Sequence, residues 1–254
     1  TNLTTLYLYD NQISNISPLV ENTGISGTID LKNNPLNNTA LSTHIPALEA
    51  RGIKVEYDLP EGVVLFKDAN LEKAIRDALG IPTELLKKED LAKLKELRID
   101  NKGKPESEKI SDITGLEHCI SLTVLHLNHN QLTDLSRLTN LINLTQLELQ
   151  HNQLSDISPL ANLTNLTWLY LNGNQLTDLS ELTKLTSLTK LWLGGNQLSE
   201  VSSLANLINL KELDLPHNQL SDVNLLASLT SLTTLWLHNN QLSEVSPLTN
   251  LANL

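Results

Sequence analysis

Aromatic and histidine side chains recur at regular distances along this sequence, and these residue types are common in ligand-binding surfaces. All three tryptophans, three of four tyrosines and five of seven histidines lie in Leu-x-Leu segments or near one. Rigid rings flanked by imidazole and carboxylate groups suit recognition. We therefore predict a binding surface that contains Tyr7, Tyr9, His126, Glu148, His151, Trp168, Tyr170, Trp192, Asp214, His217, Trp236 and His238.

Cross-strand packing is the alternative interpretation of these rings, since aromatic side chains also cover neighbouring strands. Exposed, clustered aromatic residues more often mark interaction sites, so binding is favoured. Trp168, Tyr170, Trp192 and Trp236 share one strand phase and are predicted to form a single exposed patch.

Metal binding is a second chemistry that the histidines suggest. His126, His129 and His151 bring three imidazoles close together, and transition metals accept such ligands. No carboxylate or thiol completes the set by sequence logic, so we predict neither a metal site nor a cofactor. The sequence also contains no Gly-rich phosphate loop, nucleophile elbow or HExxH motif, and an enzyme is not expected.

A repeat of 22 residues positions all of these side chains. The pattern LxxLxLxxNQLxxLxxL recurs six times, and its Leu-x-Leu segment is a short strand that pairs in parallel with the next. The residue between the two leucines faces solvent on the concave side. A buried asparagine amide after each strand would satisfy turning backbone groups. These asparagines are Asn130, Asn152, Asn174, Asn196, Asn218 and Asn240.

The fold class follows from the leucine spacing. Leucines three residues apart favour a 3₁₀ or irregular convex side, and only stacking of repeats can bury their apolar faces. We predict an α/β leucine-rich-repeat solenoid with a parallel concave sheet and a small helical cap. Cys119 occupies a leucine position and is predicted to be a small buried core residue.

An acidic residue also recurs in each repeat. A single acid per repeat lacks the clustered oxygens that Ca²⁺ prefers, so a solvated rim is predicted, with the Ser or Thr before each acid assisting the turn. These acids are Asp134, Asp156, Asp178, Glu200, Asp222 and Glu244.

The repeats predict an unusual order of domains. Residues 1–58 hold the end of one array: a full repeat, a degenerate repeat, a helix over 41–50 and a strand over 53–57. The degenerate repeat has one extra residue, which we place in a loop with Gly24 and Gly27. Residues 59–62 are a predicted linker.

A second array follows the linker. Residues 63–109 are predicted to form a helical cap, with Asp68 capping its first helix, a second helix over 87–97 and a charged flexible loop over 102–108. Residues 110–254 are an array of about six repeats without a closing segment.

Two phrases of the repeat resemble the internalin-like class of bacterial surface proteins. They are Leu154-Ser-Asp-Ile-Ser-Pro-Leu160 and Ala161-Asn-Leu-Thr-Asn-Leu166, and the resemblance covers residues 110–254 and 1–19. Residues 34–53 resemble the closing segment of such arrays, and residues 63–109 resemble their helical cap. The resemblance implies an extracellular or cell-surface location and a host or neighbouring-cell protein as ligand on the concave face.

Two further functions are kept as alternatives. In a structural role, the leucine-lined ends would join head to tail into a filament or ring, through Leu3 and Leu6 at one end and Leu251 and Leu254 at the other. Glycan binding by the Trp and Tyr ladder is a variant of ligand recognition.

Charge and hydropathy exclude two classes of partner. The formal charge is −11, and residues 110–254 contain 12 acidic and 4 basic side chains, so nucleic acid would be repelled. No apolar run approaches the roughly 20 residues that a membrane span needs, so no span is predicted in this segment.

Overall fold

The computed structural model describes residues 3–254 and forms two parallel sheets. Strands β1 (Leu3–Tyr7), β2 (Ile25–Asp30) and β3 (Lys54–Glu56) form the first sheet in chain order. The second sheet has seven strands, also in chain order, so the chain winds as a solenoid. These strands are β4 (Glu96–Asp100), β5 (Val124–Asn128), β6 (Gln146–Glu148), β7 (Trp168–Tyr170), β8 (Lys190–Trp192), β9 (Glu212–Asp214) and β10 (Thr234–Trp236).

Short 3₁₀ helices lie opposite the strands of the second sheet. In a 3₁₀ helix, residues three apart lie above one another, which turns leucines spaced by three towards the same side. The predicted convex side is therefore confirmed. These helices are Leu116–His118, Ser136–Leu138, Ser158–Leu160, Ser180–Lys184, Ser202–Leu204, Asn224–Ser228 and Ser246–Asn250.

Four α-helices complete the described chain: α1 (Ser17–Glu21), α2 (Ile45–Ala50), α3 (Ala69–Leu79) and α4 (Lys88–Leu91). A π-helical turn, Ala40–His44, leads directly into α2. Among the described residues, no helix combines the length and apolarity that crossing a membrane requires.

The leucines of successive repeats form one continuous core. Leu147, Leu169 and Leu191 are fully buried and pair in register across β6, β7 and β8. Cys119 is buried in the same core, as predicted, and burial raises the pKa of its thiol to about 12. A thiol in this state is not nucleophilic at neutral pH.

The repeated asparagines form a ladder that joins neighbouring repeats. The Asn152 side-chain amide donates to the carbonyls of Leu127 and Leu149, each at 3.0 Å, and its oxygen accepts from the Leu132 N–H at 3.0 Å. The same three bonds recur at Asn174 in the next repeat. The buried, bonded asparagine predicted from the sequence is confirmed.

The cap before the second sheet differs from the prediction in one place. Asp68 caps α3, as predicted, because its Oδ1 accepts from the N–H groups of Asn70 and Leu71 at 3.0 and 3.1 Å. The predicted helix over 87–97 is wrong beyond Leu91, where α4 ends. Leu97 instead lies on β4 and pairs with Leu125, because strand pairing with β5 outweighs the helix-compatible leucine spacing.

The extra residue of the degenerate repeat lies in strand β2 and not in a loop. Leu3 pairs with Ile25 but Thr5 pairs with Thr28, so β2 contains a bulge. Gly27 has a φ of +73°, and a Cβ there would lie 2.1 Å from the Thr4 carbonyl oxygen. The close approach of the two strands therefore requires glycine at this position.

The charged segment over 102–108 contains a short 3₁₀ helix, Glu106–Glu108. Ion pairs join Lys104 to Glu108 at 3.0 Å and Lys109 to Glu106 at 2.5 Å. Both pairs are local, and the segment is joined to the first repeat by the Gln131 side-chain amide, which donates to Glu106.

The first sheet and the cap of the second array are in contact. Leu65 and Leu85 pack against the apolar core of the first sheet, and the Asn38 amide donates to Glu72 Oε1 at 3.3 Å. The domain boundaries at residues 58 and 62 stay a prediction.

Candidate ligand-binding site on the concave face

Two columns of solvent-facing side chains run across the second sheet. Strand pairing aligns them, because each strand contributes one residue before the inward leucine and one after it. Column A contains Glu96, Val124, Gln146, Trp168, Lys190, Glu212 and Thr234. Column B contains Arg98, His126, Glu148, Tyr170, Trp192, Asp214 and Trp236.

Three aromatic rings of column B form one cluster. The rings of Tyr170 and Trp192 stack at 4.3 Å with an angle of 13° between their planes. The rings of Trp192 and Trp236 meet edge to face at 6.3 Å. All three lie outside the leucine core, so the predicted strand phase is correct.

The prediction of one exposed patch of four rings is wrong in two respects. Tyr170 is only 9% exposed, because Trp192 lies flat on its ring, whereas Trp236 is 36% exposed. Trp168 belongs to column A, and the ammonium of Lys190 lies 4.9 Å from its ring centroid. The aromatic cluster is therefore Tyr170, Trp192 and Trp236.

Asp214 lies on the strand between Trp192 and Trp236. Strands two apart are separated by about 9.6 Å, so rings that meet at 6.3 Å must lean towards each other above β9. Asp214 is therefore partly covered by the two indoles, and this burial raises the pKa of its carboxyl group.

The missing side chain of Gly194 leaves space for the Asp214 carboxylate. Its Oδ1 accepts from the Gly194 N–H at 3.0 Å and from the Asn172 side-chain amide at 2.8 Å. Asn172 lies two repeats before Asp214 and reaches it across Gly194, where a Cβ would lie 2.6 Å from that oxygen. Asn172 and Gly194 were not predicted from the sequence. The one signal was the Gly194-Gly195 pair, since no other repeat of the second array has two glycines after its strand.

His126 and Glu148 form a polar network at the other end of column B. His126 Nε2 lies 3.1 Å from Arg98 Nη1 and 3.4 Å from Glu148 Oε1. Burial is the main cause that lowers the pKa of His126. Glu148 also accepts from the Asn128 amide at 2.8 Å. These side chains are satisfied by one another.

Backbone geometry gives a structural reason for three of the recurring histidines. His129, His151 and His217 have φ values of +57°, +54° and +53°. The same turn position holds Asn239 or glycine in the other repeats, also with positive φ. Asn, Asp and His adopt this region more readily than other non-glycine residues. The turn therefore gives a structural reason for histidine at this position, and the binding role of His151 and His217 stays a prediction.

Two pairs of histidine rings are in contact, one stacked and one edge to face. The rings of His129 and His151 are 4.5 Å apart, and those of His217 and His238 are 5.5 Å apart. Within residues 3–254, no group of three or more His, Cys, Asp or Glu side chains has the arrangement of a metal site.

A cavity of about 380 Å³ opens beside the aromatic cluster, between Glu148, His151 and Trp192. Three buried polar atoms of its lining residues have no hydrogen-bond partner among the described residues: Gln150 Oε1, Asn172 Oδ1 and Trp192 Nε1. Unpaired buried polar atoms lower stability and are rare in native proteins, so these three atoms are candidates for hydrogen bonds to water or to a ligand.

The repeated acids cap the convex 3₁₀ turns. Asp156 accepts from the Ser158 N–H at 2.8 Å and from its hydroxyl at 2.9 Å. The equivalent bonds of Asp178 to Ser180 lower the pKa of that carboxyl group. The solvated-rim interpretation is therefore incomplete: the assisting serine follows the acid, and the acid itself accepts its bonds.

The remaining predicted residues lie elsewhere. Tyr7 and Tyr9 are exposed on the first sheet, with ring centroids 6.3 Å apart. Leu3 and Leu254 are exposed, Leu6 is half-buried and Leu251 is buried, and assembly through these leucines stays a prediction. Exposed leucines in a first and a last repeat are expected of any stacked array, so they do not indicate assembly.

Comparisons with known proteins agree with this architecture. The family model Leucine Rich repeats (2 copies) matches residues 120–162, 164–206 and 208–250, and the model Leucine Rich Repeat matches residues 2–22. Comparison with curated proteins gives no match.

Two solved structures from Listeria monocytogenes are similar to the chain. An internalin (inlF) is 39% identical, with a TM-score of 0.71, over 74% of this chain and 55% of that one. An internalin C2 (inlC2) is 37% identical, with a TM-score of 0.60, over 74% of this chain and 92% of that one. The chain thus spans about half the length of the inlF structure and most of the inlC2 structure.

Proposed function

Because the chain belongs to the internalin-like leucine-rich-repeat proteins, we propose that it is a non-enzymatic scaffold that binds a protein ligand on the concave face of its second sheet. We place this activity at the bacterial cell surface or in the secreted fraction. The ligand is a surface protein of a host or neighbouring cell.

The observation that supports this proposal is the aromatic cluster on a solvent-facing column. Tyr170, Trp192 and Trp236 contact one another on the concave face, outside the leucine core that stabilises the fold. Tryptophan and tyrosine dominate the energetics of protein interfaces, especially when they lie in the centre and are surrounded by polar residues. Here the polar residues are Asp214, which lies between the two tryptophans, and Glu148, which borders the cluster beside Tyr170.

A rigid scaffold supports such a surface well. The strands of column B are fixed by parallel pairing and by the leucine core beneath them. Little side-chain or backbone ordering is then needed on binding, which lowers the entropic cost of association.

The experiment is a binding screen against immobilised ectodomains of cell-surface proteins, with a glycan array in parallel. The wild-type chain is compared with Trp236→Ala and with Ile208→Ala, a control on the convex side where Ile208 is 55% exposed. We expect to find an ectodomain that binds the wild-type chain and the Ile208→Ala variant but does not bind the Trp236→Ala variant.

Two results would contradict the proposal. Ectodomain binding that survives both Trp192→Ala and Trp236→Ala would move the site away from the concave face. Trp236-dependent binding on the glycan array alone would replace the protein ligand with a carbohydrate.

A further inference from the structure

Column A contains a cation that is held between an indole and a carboxylate. The Lys190 ammonium lies 4.9 Å from the Trp168 ring centroid and 2.9 Å from Glu212 Oε1. The three residues occupy neighbouring strands β7, β8 and β9. Such an arrangement combines a cation–π contact with an ion pair.

Column B contains the same two kinds of partner without the cation. Trp192, Asp214 and Trp236 lie on β8, β9 and β10, directly beside the occupied set of column A. Asp214 Oδ1 accepts two hydrogen bonds, but neither Oδ1 nor Oδ2 lies within 4.0 Å of a Lys or Arg nitrogen of the described residues, and Oδ2 accepts no described hydrogen bond. A partly buried carboxylate in this state lacks its counter-charge.

We propose that Trp192, Asp214 and Trp236 form a pocket that accepts an arginine side chain of the protein ligand. This inference rests on the proposed function and names the residue class that the concave face recognises. The guanidinium would stack on the indole of Trp236, the most exposed ring of the cluster, and donate to Asp214 Oδ2.

Arginine suits this pocket better than lysine. Its guanidinium is planar, stacks on aromatic faces and is more weakly hydrated than an ammonium, so less hydration is lost on entering a partly covered site. The surrounding charge also favours a cation, because residues 110–254 contain 12 acidic and 4 basic side chains.

The electrostatics of Asp214 agree with a missing counter-charge. Burial raises the pKa of its carboxyl group, and the hydrogen bonds from Gly194 and Asn172 and the nearby His238 and His217 only partly oppose this. An arginine beside Oδ2 would lower that pKa, and the bound pair would be held by a charge-assisted hydrogen bond.

The test is an NMR titration of the full chain with ¹⁵N-labelled tryptophan, using N-acetyl-arginine amide as the probe. The citrulline analogue is its neutral isostere, and the lysine analogue tests arginine against another cation. We expect saturable shifts of the Trp192 and Trp236 indole N–H signals with arginine. Trp168 is the internal control, because Lys190 already covers its ring.

The variants make the assignment specific. Asp214→Asn keeps an oxygen acceptor for Gly194 and should weaken the arginine response by about tenfold, because it removes the charge but not the rings. Trp236→Ala is the second variant, and it should abolish the shift of Trp192. Unchanged backbone spectra of both variants would show that the fold is kept.

Three outcomes would overturn the pocket: no shift of Trp192 and Trp236, an equal response to citrulline, or an unchanged response in Asp214→Asn. An equal response to lysine would overturn the assignment to arginine. If an ectodomain binds in a Trp236-dependent way but the chain does not respond to the arginine probe, the pocket is refuted and the proposed function is not. If the chain responds to the arginine probe but no ectodomain binds in a Trp236-dependent way, the proposed function is refuted instead.

Discussion

The asparagine ladder and column B follow the same repeat but are built in opposite ways. From Asn152 onwards, the ladder places one residue type with the same bonds in each repeat, as Asn152 and Asn174 show. Column B places six residue types at seven equivalent positions. The part of the repeat that stays constant builds the solenoid, and the part that varies is available for recognition.

Their hydrogen bonding differs in the same sense. Each ladder amide between Asn152 and Asn218 has its donors and acceptor paired with backbone. Beside column B, Trp192 Nε1 and Asn172 Oδ1 lack described partners. Because the interior is fully hydrogen-bonded, the fold tolerates the loss of stability that unpaired polar atoms on the concave face cause. Such unpaired atoms are typical of a site that selects a ligand.

Removing a ladder amide should have the largest effect. Asn174→Ala leaves the buried Leu154 N–H without its partner inside the protein. It also removes one of the two amide hydrogen bonds that each of the Leu149 and Leu171 carbonyls accepts. We expect a loss of about 3 kcal/mol in the free energy of unfolding. Urea denaturation measures it, with the exposed neighbour variant Gln175→Ala as control. Equal midpoints for the two variants would remove the distinction between ladder and surface.

Trp236→Ala should separate binding from stability. The ring contributes an edge-to-face contact with Trp192, so unfolding should become easier by about 1 kcal/mol. Binding of an ectodomain found in the screen should weaken by about 2 kcal/mol or more, as at an interface hot spot. Calorimetry and urea denaturation on the same preparation compare the two. A larger loss in stability than in binding would place Trp236 with the structural residues.

Asp156→Ala tests a repeated position outside both regions. The substitution removes two hydrogen bonds that cap a convex turn, and capping losses are usually about 0.5–2 kcal/mol. Because the turn is exposed, we expect a value near the lower limit. Asp156→Asn is the matched control, since asparagine also caps well. Thermal unfolding of both variants measures the change in stability. Identical melting points for wild type and Asp156→Ala would show that this acid is only solvated and does not stabilise the turn.

Asp214→Asn should have the smallest effect on stability, and of opposite sign. The pKa of Asp214 is raised in the folded chain, so the ionised carboxylate disfavours folding at neutral pH. The uncharged variant should therefore unfold at slightly higher urea concentration than wild type. This advantage is greatest above the raised pKa and should vanish as the pH falls below the ordinary pKa of an aspartate.

His217 and His238 also lie near this carboxylate and act on it electrostatically. The pH series must therefore be read as the difference between wild type and Asp214→Asn, in which both histidines are retained. A variant less stable than wild type at neutral pH would show that its bonds to Gly194 and Asn172 outweigh the burial of the charge.

Much of the fold is predictable because the repeat has a period that physics can interpret. Leu169 and Leu171 flank Tyr170, so the alternation of strand side chains places the tyrosine on the solvent-facing side. The buried amide of Asn174 follows from its place after the strand. The helix predicted over 87–97 failed because Leu91, Leu94 and Leu97 are spaced by three, which suits both a helix and the entry into a repeat.

The candidate site is predictable only in part. Strand phase identified Trp192, Asp214 and Trp236 as neighbours on one column. It could not show that Trp192 would cover Tyr170, since that depends on ring rotamers. It also could not show that His129 and His151 occupy a left-handed turn, because the sequence does not distinguish a residue favoured by such a turn from one favoured for its imidazole.

The sequence by itself determined the solenoid, the parallel order of its strands and the residues that face solvent, because these follow from local spacing repeated many times. Only the tertiary structure decided which of those residues touch. Asn172 reaches Asp214 across two repeats because Gly194 leaves the space, and Trp192 meets Trp236 above the strand between them. Such contacts depend on the distance between strands and on the absence of a side chain at one position. Neither can be read from the sequence next to the residues that come into contact.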